Sequence, residues 1–427
     1  MADSPRPSTA GPRRGRIASP RWARKGRRAL TRLPELGRLI GVAWALVITA
    51  VAAISAGAWW FLGSPPLRAP AELTARDLNA ITTRAFAVVA GLVGTALLVI
   101  SYRKQRTAEF GEDRERTRLF NERFTAAYTE LGSEHAAVRL GAVHALAHLA
   151  DDAPTRELRQ MCIDVLCAYL RMPHTPAPDE PSDGATEEQR CERQRRQLEF
   201  ASLREVRHTI IRTIAARLRE DAHVSWQGHD FDFTGVVFDG GDFSEARFSG
   251  GLVNFRDATF SGGTVSFRDV LVTMGTVNFS GAAFTGGTVD FRYAAFAGGT
   301  ARFSAAQFAG GTVDFGDSAL SGGTVDFTRS AFSRGTVNFG FARFLNGTMD
   351  FGEVTFTGGL VDFRYAAFAG DTVNFRGVVL AGGTVDFGTA KGPCPGGLLD
   401  AVAAGEPGTA VLPRGWEDAA GEAPGTE

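Results

Sequence analysis

The chain has 427 residues, 44% hydrophobic and 22% charged, with a formal net charge of −1. That length predicts two or three domains. Its four cysteines, Cys162, Cys167, Cys191 and Cys394, have neither zinc-ligand spacing nor the pattern of a secreted disulfide framework, which excludes both classes.

The near-zero net charge hides an uneven distribution. Residues 1–38 carry Arg6, Arg13, Arg14, Arg16, Arg21, Arg24, Lys25, Arg27, Arg28, Arg32 and Arg38 against only Asp3 and Glu35. Rich also in Pro, Ser and Gly, this tail cannot bury a core and is expected to be disordered. A nucleic-acid arm is one reading of it, but the neighbouring hydrophobic segments explain it better.

Residues 39–62 contain no charge apart from the basic flank and are long enough to span a bilayer, for which about 20 residues suffice. Residues 85–101 are also charge-free, near the lower limit of about 17. Trp59, Trp60 and Tyr102 sit where aromatic belts belong. Between the runs Arg68, Arg76, Glu72 and Asp77 roughly cancel, whereas Arg103, Lys104 and Arg106 join the basic tail on the outer flanks. The positive-inside rule then places both termini and the solenoid in the cytoplasm of a plasma membrane, the two spans being joined by a short outer loop. The run is long for a signal peptide, and a second comes after it. With no ionisable residue inside, residues 39–102 read as an anchoring hairpin rather than a channel.

Residues 103–172 read as a helical domain. Leu119, Phe120, Phe124, Ala127 and Tyr128 lie on one side of a first helix that Gly132 closes. Val138, Ala142, Ala145, Leu146 and Leu149 form the stripe of a second, broken at Asp151, Asp152 and Pro154. Leu158, Met161, Cys162, Val165, Leu166, Tyr169 and Leu170 face the core from a third. Residues 173–198 contain an acidic, Pro-rich linker. Residues 199–230 supply a helix with Leu203, Val206, Ile210, Ile211, Ile214 and Leu218 at helical spacing, then Trp226. Together these should cap the repeat region.

Residues 231–388 are built on a period of twelve. Phe recurs at 255, 267, 279, 291, 303, 315, 327, 339, 351, 363, 375 and 387, and a second apolar column runs through Phe260, Val272, Phe284, Phe296, Phe308, Leu320, Phe332, Phe344, Phe356, Phe368 and Leu380. Turns such as Gly262, Gly263 and Thr264 separate them. Two residues before each Phe stands a small or β-branched residue, and the one between is polar in the first column. Short strands with their ends turned inward, repeated in register, predict a β-solenoid in which Phe stacks on Phe at about 4.8 Å. Residues 389–427 lose the period; residues 398–412 are expected to fold over the last coil, and 417–427 to be disordered.

Phe233, Phe238, Phe243 and Phe248 lie five apart, with Val236, Gly241 and Ala246 two residues before the last three. This resembles the pentapeptide-repeat family, whose A-(D/N)-(L/F)-x-x units the resemblance implies would form a right-handed, four-sided β-helix. Later units resemble one pentapeptide followed by a second widened by two residues. Two units would give a four-sided coil of 24; one unit per coil would give a flat, two-sided helix. The former is favoured, since four inward side chains then fill one cross-section, and about six and a half coils span roughly 30 Å. Residues 130–141, with Ala145 and Leu146 and then residues 165–169, resemble the helical segment preceding the solenoid in membrane-anchored bacterial pentapeptide-repeat proteins.

No catalytic constellation, metal site or cofactor motif stands out. His144 and His148 are four apart but lack an H-E-x-x-H pattern and a third ligand. The Gly pairs are followed by no Lys-Ser/Thr, so they are turn glycines rather than a P-loop. If two units make a coil, Asp290, Asp314, Asn338, Asp362 and Asp386 form one acidic column. Some members of the resembled family mimic DNA and bind DNA gyrase, which makes these aspartates a candidate partner-binding column. Against this, Arg residues are interspersed, and Asp here can hydrogen-bond the adjacent turn. Thr264, Thr276, Thr288, Thr300, Thr312, Thr324, Thr336 and Thr348 form another column, an ice-binding pattern that a cytoplasmic placement disfavours. The sequence therefore predicts a non-enzymatic, membrane-tethered interaction scaffold with an unknown protein partner. A DNA-mimicking binder of gyrase or another DNA-binding protein is the alternative, and self-association through the hairpin is a third reading. Direct nucleic-acid binding is not expected.

Overall fold

Each twelve-residue unit supplies half a coil. In the computed structural model, strand partners stand two units apart, as in the ladder Thr276, Thr300, Thr324 and Thr348. That register excludes a two-sided helix of one unit per coil. The structure describes residues 45, 48–49, 52–64, 74–173, 178, 186–369 and 373–416. They fall in two units, Met1–Tyr102 and Arg103–Glu427.

The β-solenoid has about seven turns. Strands Ala283–Phe284, Thr288–Asp290, Ala295–Phe296 and Thr300–Arg302 mark the four faces of one coil, each pairing in parallel with the strand one coil on. The first step is shorter, with Phe231 pairing with Val253 and Phe238 with Phe260. Plain five-residue units there give way to the glycine-widened ones.

Alternation puts Phe inside. The twelve-spaced Phe column separates into two stacks. One runs through Phe255, Phe279, Phe303 and Phe327 with ring centroids 4.7 Å apart, and the other through Phe267, Phe291, Phe315 and Phe339 at 4.7–4.9 Å. Rings of the two stacks meet edge to face, as at Phe279 and Phe291, 5.7 Å and 85°. The small residues two positions before the second apolar column, Ala282, Ala294 and Ala306, are fully buried. Ser330 replaces one, and its buried hydroxyl donates to the Phe303 carbonyl at 2.6 Å, so the substituted oxygen is not left unsatisfied.

Before the coil come helices α1 (Ala75–Leu131), α2 (Ala136–Asp151), α3 (Arg156–Leu170) and α4 (Glu187–Leu218), and residues 52–61 are also helical. Thr155 caps α3 by accepting from Leu158 N–H, and Thr186 opens α4 with a capping box closed by Gln189. Val206, Ile210, Ile211, Ile214 and Leu218 of α4 are buried. Ile211 lies so close to Gly241 of the first coil that a Cβ there would meet its side chain at 3.1 Å. Trp226 is fully buried and donates from Nε1 to Asp151 at 2.8 Å. Asp151 also pairs with Arg217, whose guanidinium lies 4.9 Å from the centre of the Trp226 ring.

At the other end α5 (Leu398–Ala404) buries Leu398 and Ala401, and strand Ala410–Val411 pairs with Thr384–Asp386. Trp416 covers the last rings, 5.8 Å from Phe368 and 5.7 Å from Phe387, and donates to Gly392 O.

The two-span hairpin expected over residues 39–102 is not found: among the described residues no helix is long and apolar enough to cross a membrane. Much of the first run lies outside the described residues. The second, at the lower length limit for a span, is part of the 57-residue α1, which carries Arg84 before the run and Arg103 after it. The basic tail, most of the acidic linker and residues 417–427 also lie outside the described residues.

Candidate interaction surface on the solenoid

The two residues after each inward Phe make the corner of the coil. Between Phe291 and Ala294 the chain reverses in a turn closed by Ala294 N–H donating to Phe291 O at 3.0 Å. The third residue of such a turn sits at positive φ: Tyr293 at 61°, Ala305 at 56°, Asp317 at 57°, Arg329 at 59°, Phe341 at 60°, Glu353 at 59° and Tyr365 at 61°. This is the geometry of a type II turn, for which glycine or asparagine is the ordinary choice.

The predicted acidic column is in register on one face: Asp290 beside Asp314, and Asp362 beside Asp386, with Asn338 between the pairs. Each carboxylate works on its own turn. Asp290, Asp314, Asp362 and Asp386 accept from the backbone N–H two residues on, at 2.8–2.9 Å. Asp290 and Asp362 are only 6% and 9% exposed, and each is gripped by a guanidinium, Arg292 at 2.7 Å and Arg364 at 2.6 Å. Burial pushes both carboxyls up, but the hydrogen bonds and charge of these arginines outweigh it and hold them below the usual carboxylate range. Arg292 also lies 3.8 Å from Asp314, and Arg364 3.7 Å from Asp386.

Four carboxylates sharing two guanidiniums leave about two net negative charges over roughly 19 Å of coil axis. Duplex DNA carries one per about 1.7 Å, some eleven over the same length. The column is locally neutralised rather than a bare acidic rod. The Thr residues likewise resolve into two ladders on separate faces, Thr264, Thr288, Thr312 and Thr336 on one and Thr276, Thr300, Thr324 and Thr348 on the other.

Beside the acidic column lies a feature the periodicity did not single out. The corner positions on one edge of successive coils are Asp269, Tyr293, Asp317, Phe341 and Tyr365, and the three aromatics among them project outward, 46%, 57% and 49% exposed. Phe341 and Tyr365 stack on each other with centroids 4.8 Å apart, and Arg268 lies 4.9 Å over the Tyr293 ring. The opposite corner, with Asp257, Gly281, Ala305, Arg329, Glu353 and Gly377, has no aromatic residue. One ridge therefore carries exposed rings, arginines and paired carboxylates.

Other candidate chemistry is dispersed. His144 and His148 are both exposed on α2, and no described group of His, Cys, Asp and Glu is placed to hold a metal. Cys162 and Cys167 are buried; burial pushes the Cys162 thiol up to about 12 and raises that of Cys167 further. His208 pairs with Asp239 at 3.0 Å, a contact too distant in sequence for spacing to reveal, and Arg204 takes the same carboxylate.

Against known protein families, the model described as pentapeptide repeats (9 copies) matches residues 229–271. The match covers the plain five-residue units and the first widened ones. No curated protein matches the chain.

Proposed function

We propose that this β-solenoid, which matches the pentapeptide-repeat model over residues 229–271, is a non-enzymatic interaction scaffold whose partner docks on the ridge of Tyr293, Phe341 and Tyr365. The observation that carries this is the backbone. A bulky residue in the left-handed region is an outlier, disfavoured by roughly 1–2 kcal/mol. The three aromatics placed there lie outside the inward Phe stacks, about half exposed. Exposed aromatics ringed by arginine have the composition of interface hot spots.

Asparagine suits the same backbone, which separates binding from folding. The triple variant Tyr293→Asn, Phe341→Asn and Tyr365→Asn should melt no lower than the parent while losing the proteins that the parent captures from cell extract. An unchanged captured set from the folded variant would overturn the reading.

The DNA-mimic alternative rests on the in-register column. Asp314→Asn with Asp386→Asn removes charge while leaving the turn-closing oxygen in place. If residues 103–427 inhibit gyrase supercoiling and this variant does not, the column rather than the ridge is the binding face.

We further infer that the N-terminal unit tethers the protein to a membrane through its charge-free segments, with both termini and the solenoid cytoplasmic. The support is the pair of charge-free runs with basic outer flanks, together with the exposure of Phe86, Val89, Val93, Leu97, Leu98 and Ile100 along α1. Alkaline carbonate extraction checks it: the chain should stay with the membrane pellet, and release into the supernatant would refute integral insertion.

A further inference from the structure

A cavity of about 620 Å³ opens where the end of α1, the start of α2, the end of α3 and α4 meet. Its wall is mainly apolar, with Tyr128, Leu131, Met172 and Leu203 among the lining residues. Three arginines also line it, Arg139, Arg204 and Arg207, against one acid, the exposed Glu134.

The charges do not balance locally. Arg204 has a counter-ion in Asp239 at 2.8 Å. Arg207, only 7% exposed, instead donates to two main-chain carbonyls, Leu170 O at 2.8 Å and Val237 O at 2.7 Å. Arg139 is half-buried and donates to Ser133 O at 2.6 Å, Glu134 O at 2.9 Å and the Tyr169 hydroxyl at 3.1 Å. Neither Arg139 nor Arg207 has a carboxylate within ion-pair distance among the described residues. Buried charges are ordinarily paired, because an uncompensated ion in a low-dielectric site is expensive. Burial lowers the proton affinity of Arg207, as expected of a desolvated cation, although the charge of Asp239 opposes this. Asp239 itself is already hydrogen-bonded to Arg204 and His208.

We propose that this cavity is a binding site for a small amphiphilic anion, a carboxylate on an apolar body, whose head group supplies the counter-charge that Arg139 and Arg207 lack. The volume lies within the range of small-molecule sites, about 300–1,000 Å³, and the wall has their usual character, apolar with a few convergent polar groups. The ligand would touch α1, α2, α3 and α4 at once. Since Arg207 also bonds the first coil at Val237, occupancy bears directly on the junction between helices and solenoid.

The test is calorimetric titration of the full chain with 2-naphthoate at neutral pH, with 2-naphthamide as the neutral analogue of the same shape. Saturable binding with one site per chain is expected, the amide at least tenfold weaker, because a hydrogen bond from a guanidinium to a carboxylate is stronger than one to a neutral amide. Arg139→Gln should weaken naphthoate about tenfold and leave the amide unchanged. Leu203→Trp, which fills the cavity, should abolish binding of both while the circular dichroism of the coil is retained. Equal affinity for acid and amide would overturn the assignment of a charged head group. Binding unaffected by Leu203→Trp, or no saturable binding by the folded chain, would overturn the site itself.

Discussion

At Ala305 the chain holds a residue with a Cβ at φ 56° where nothing but the turn requires it. Ala305→Gly removes the steric penalty, partly offset by the greater entropy of the unfolded glycine, and should stabilise by up to about 1 kcal/mol. Denaturant midpoints check this. Gly311 is the opposite case: φ is 68° and an added Cβ would stand 2.5 Å from the Gly287 carbonyl. Gly311→Ala should therefore destabilise by more than about 2 kcal/mol. The turn-bonding role of Asp was readable in the sequence, because a short side chain two residues before a free N–H is a local matter. The ridge was not. Period-two patterning distinguishes inside from outside but carries no information on the sign of φ, so Tyr293 and Tyr365 read as ordinary corner residues.

The helical elements are welded to the coil by polar contacts that no pattern discloses. Asp151 bonds Arg217 and Trp226 together; Asp151→Ala would strand both donors, with an expected loss of about 2–3 kcal/mol in chemical unfolding. His229 is buried beside Gln160 at 3.1 Å, and burial, then Arg156 and Arg159, lowers its pKa. Its contribution is fully present above the ordinary imidazole value of about 6.5 and is lost as pH falls from there through the folded value. Asp290 and Asp362, also lowered, contribute above the ordinary carboxylate value of about 3.9 and lose that contribution as pH falls through their folded values. Melting temperature should thus fall in two steps on acidification, and His229→Gln should remove the first. The stripes of α3 and α4 were legible from helical spacing; on α2, Ala142, Leu146 and Leu149 are buried as expected, but Val138 and Ala145 are exposed. Trp416, which covers Phe368 and Phe387, was not legible, since it lies in a segment without a period.

Across the whole solenoid the rings make continuous stacks, so each coil depends on its neighbours and little on anything further away. Phe327 stands mid-stack between Phe303 and Phe351, at 4.7 and 5.0 Å. Phe327→Ala should cost about 3–5 kcal/mol and, in hydrogen exchange, loosen the coils on either side before the ends. The β-solenoid followed from the repeat, whereas its closure in two units was only the favoured of two readings, resting on the four inward side chains per cross-section that the family resemblance implies. The cavity between the helices was not legible, because it arises from side chains brought together from four separate elements.

Because two unlike half-turns alternate, the repeat has a parity. Gain or loss of a full coil would lengthen or shorten the rod and leave every surface residue facing as before. A change of a single unit would preserve the sequence period and the ring stacks, yet rotate everything beyond it by half a turn, carrying Phe341 and Tyr365 to the opposite edge from Tyr293. Length is thus free to drift only in double units wherever the ridge must remain whole.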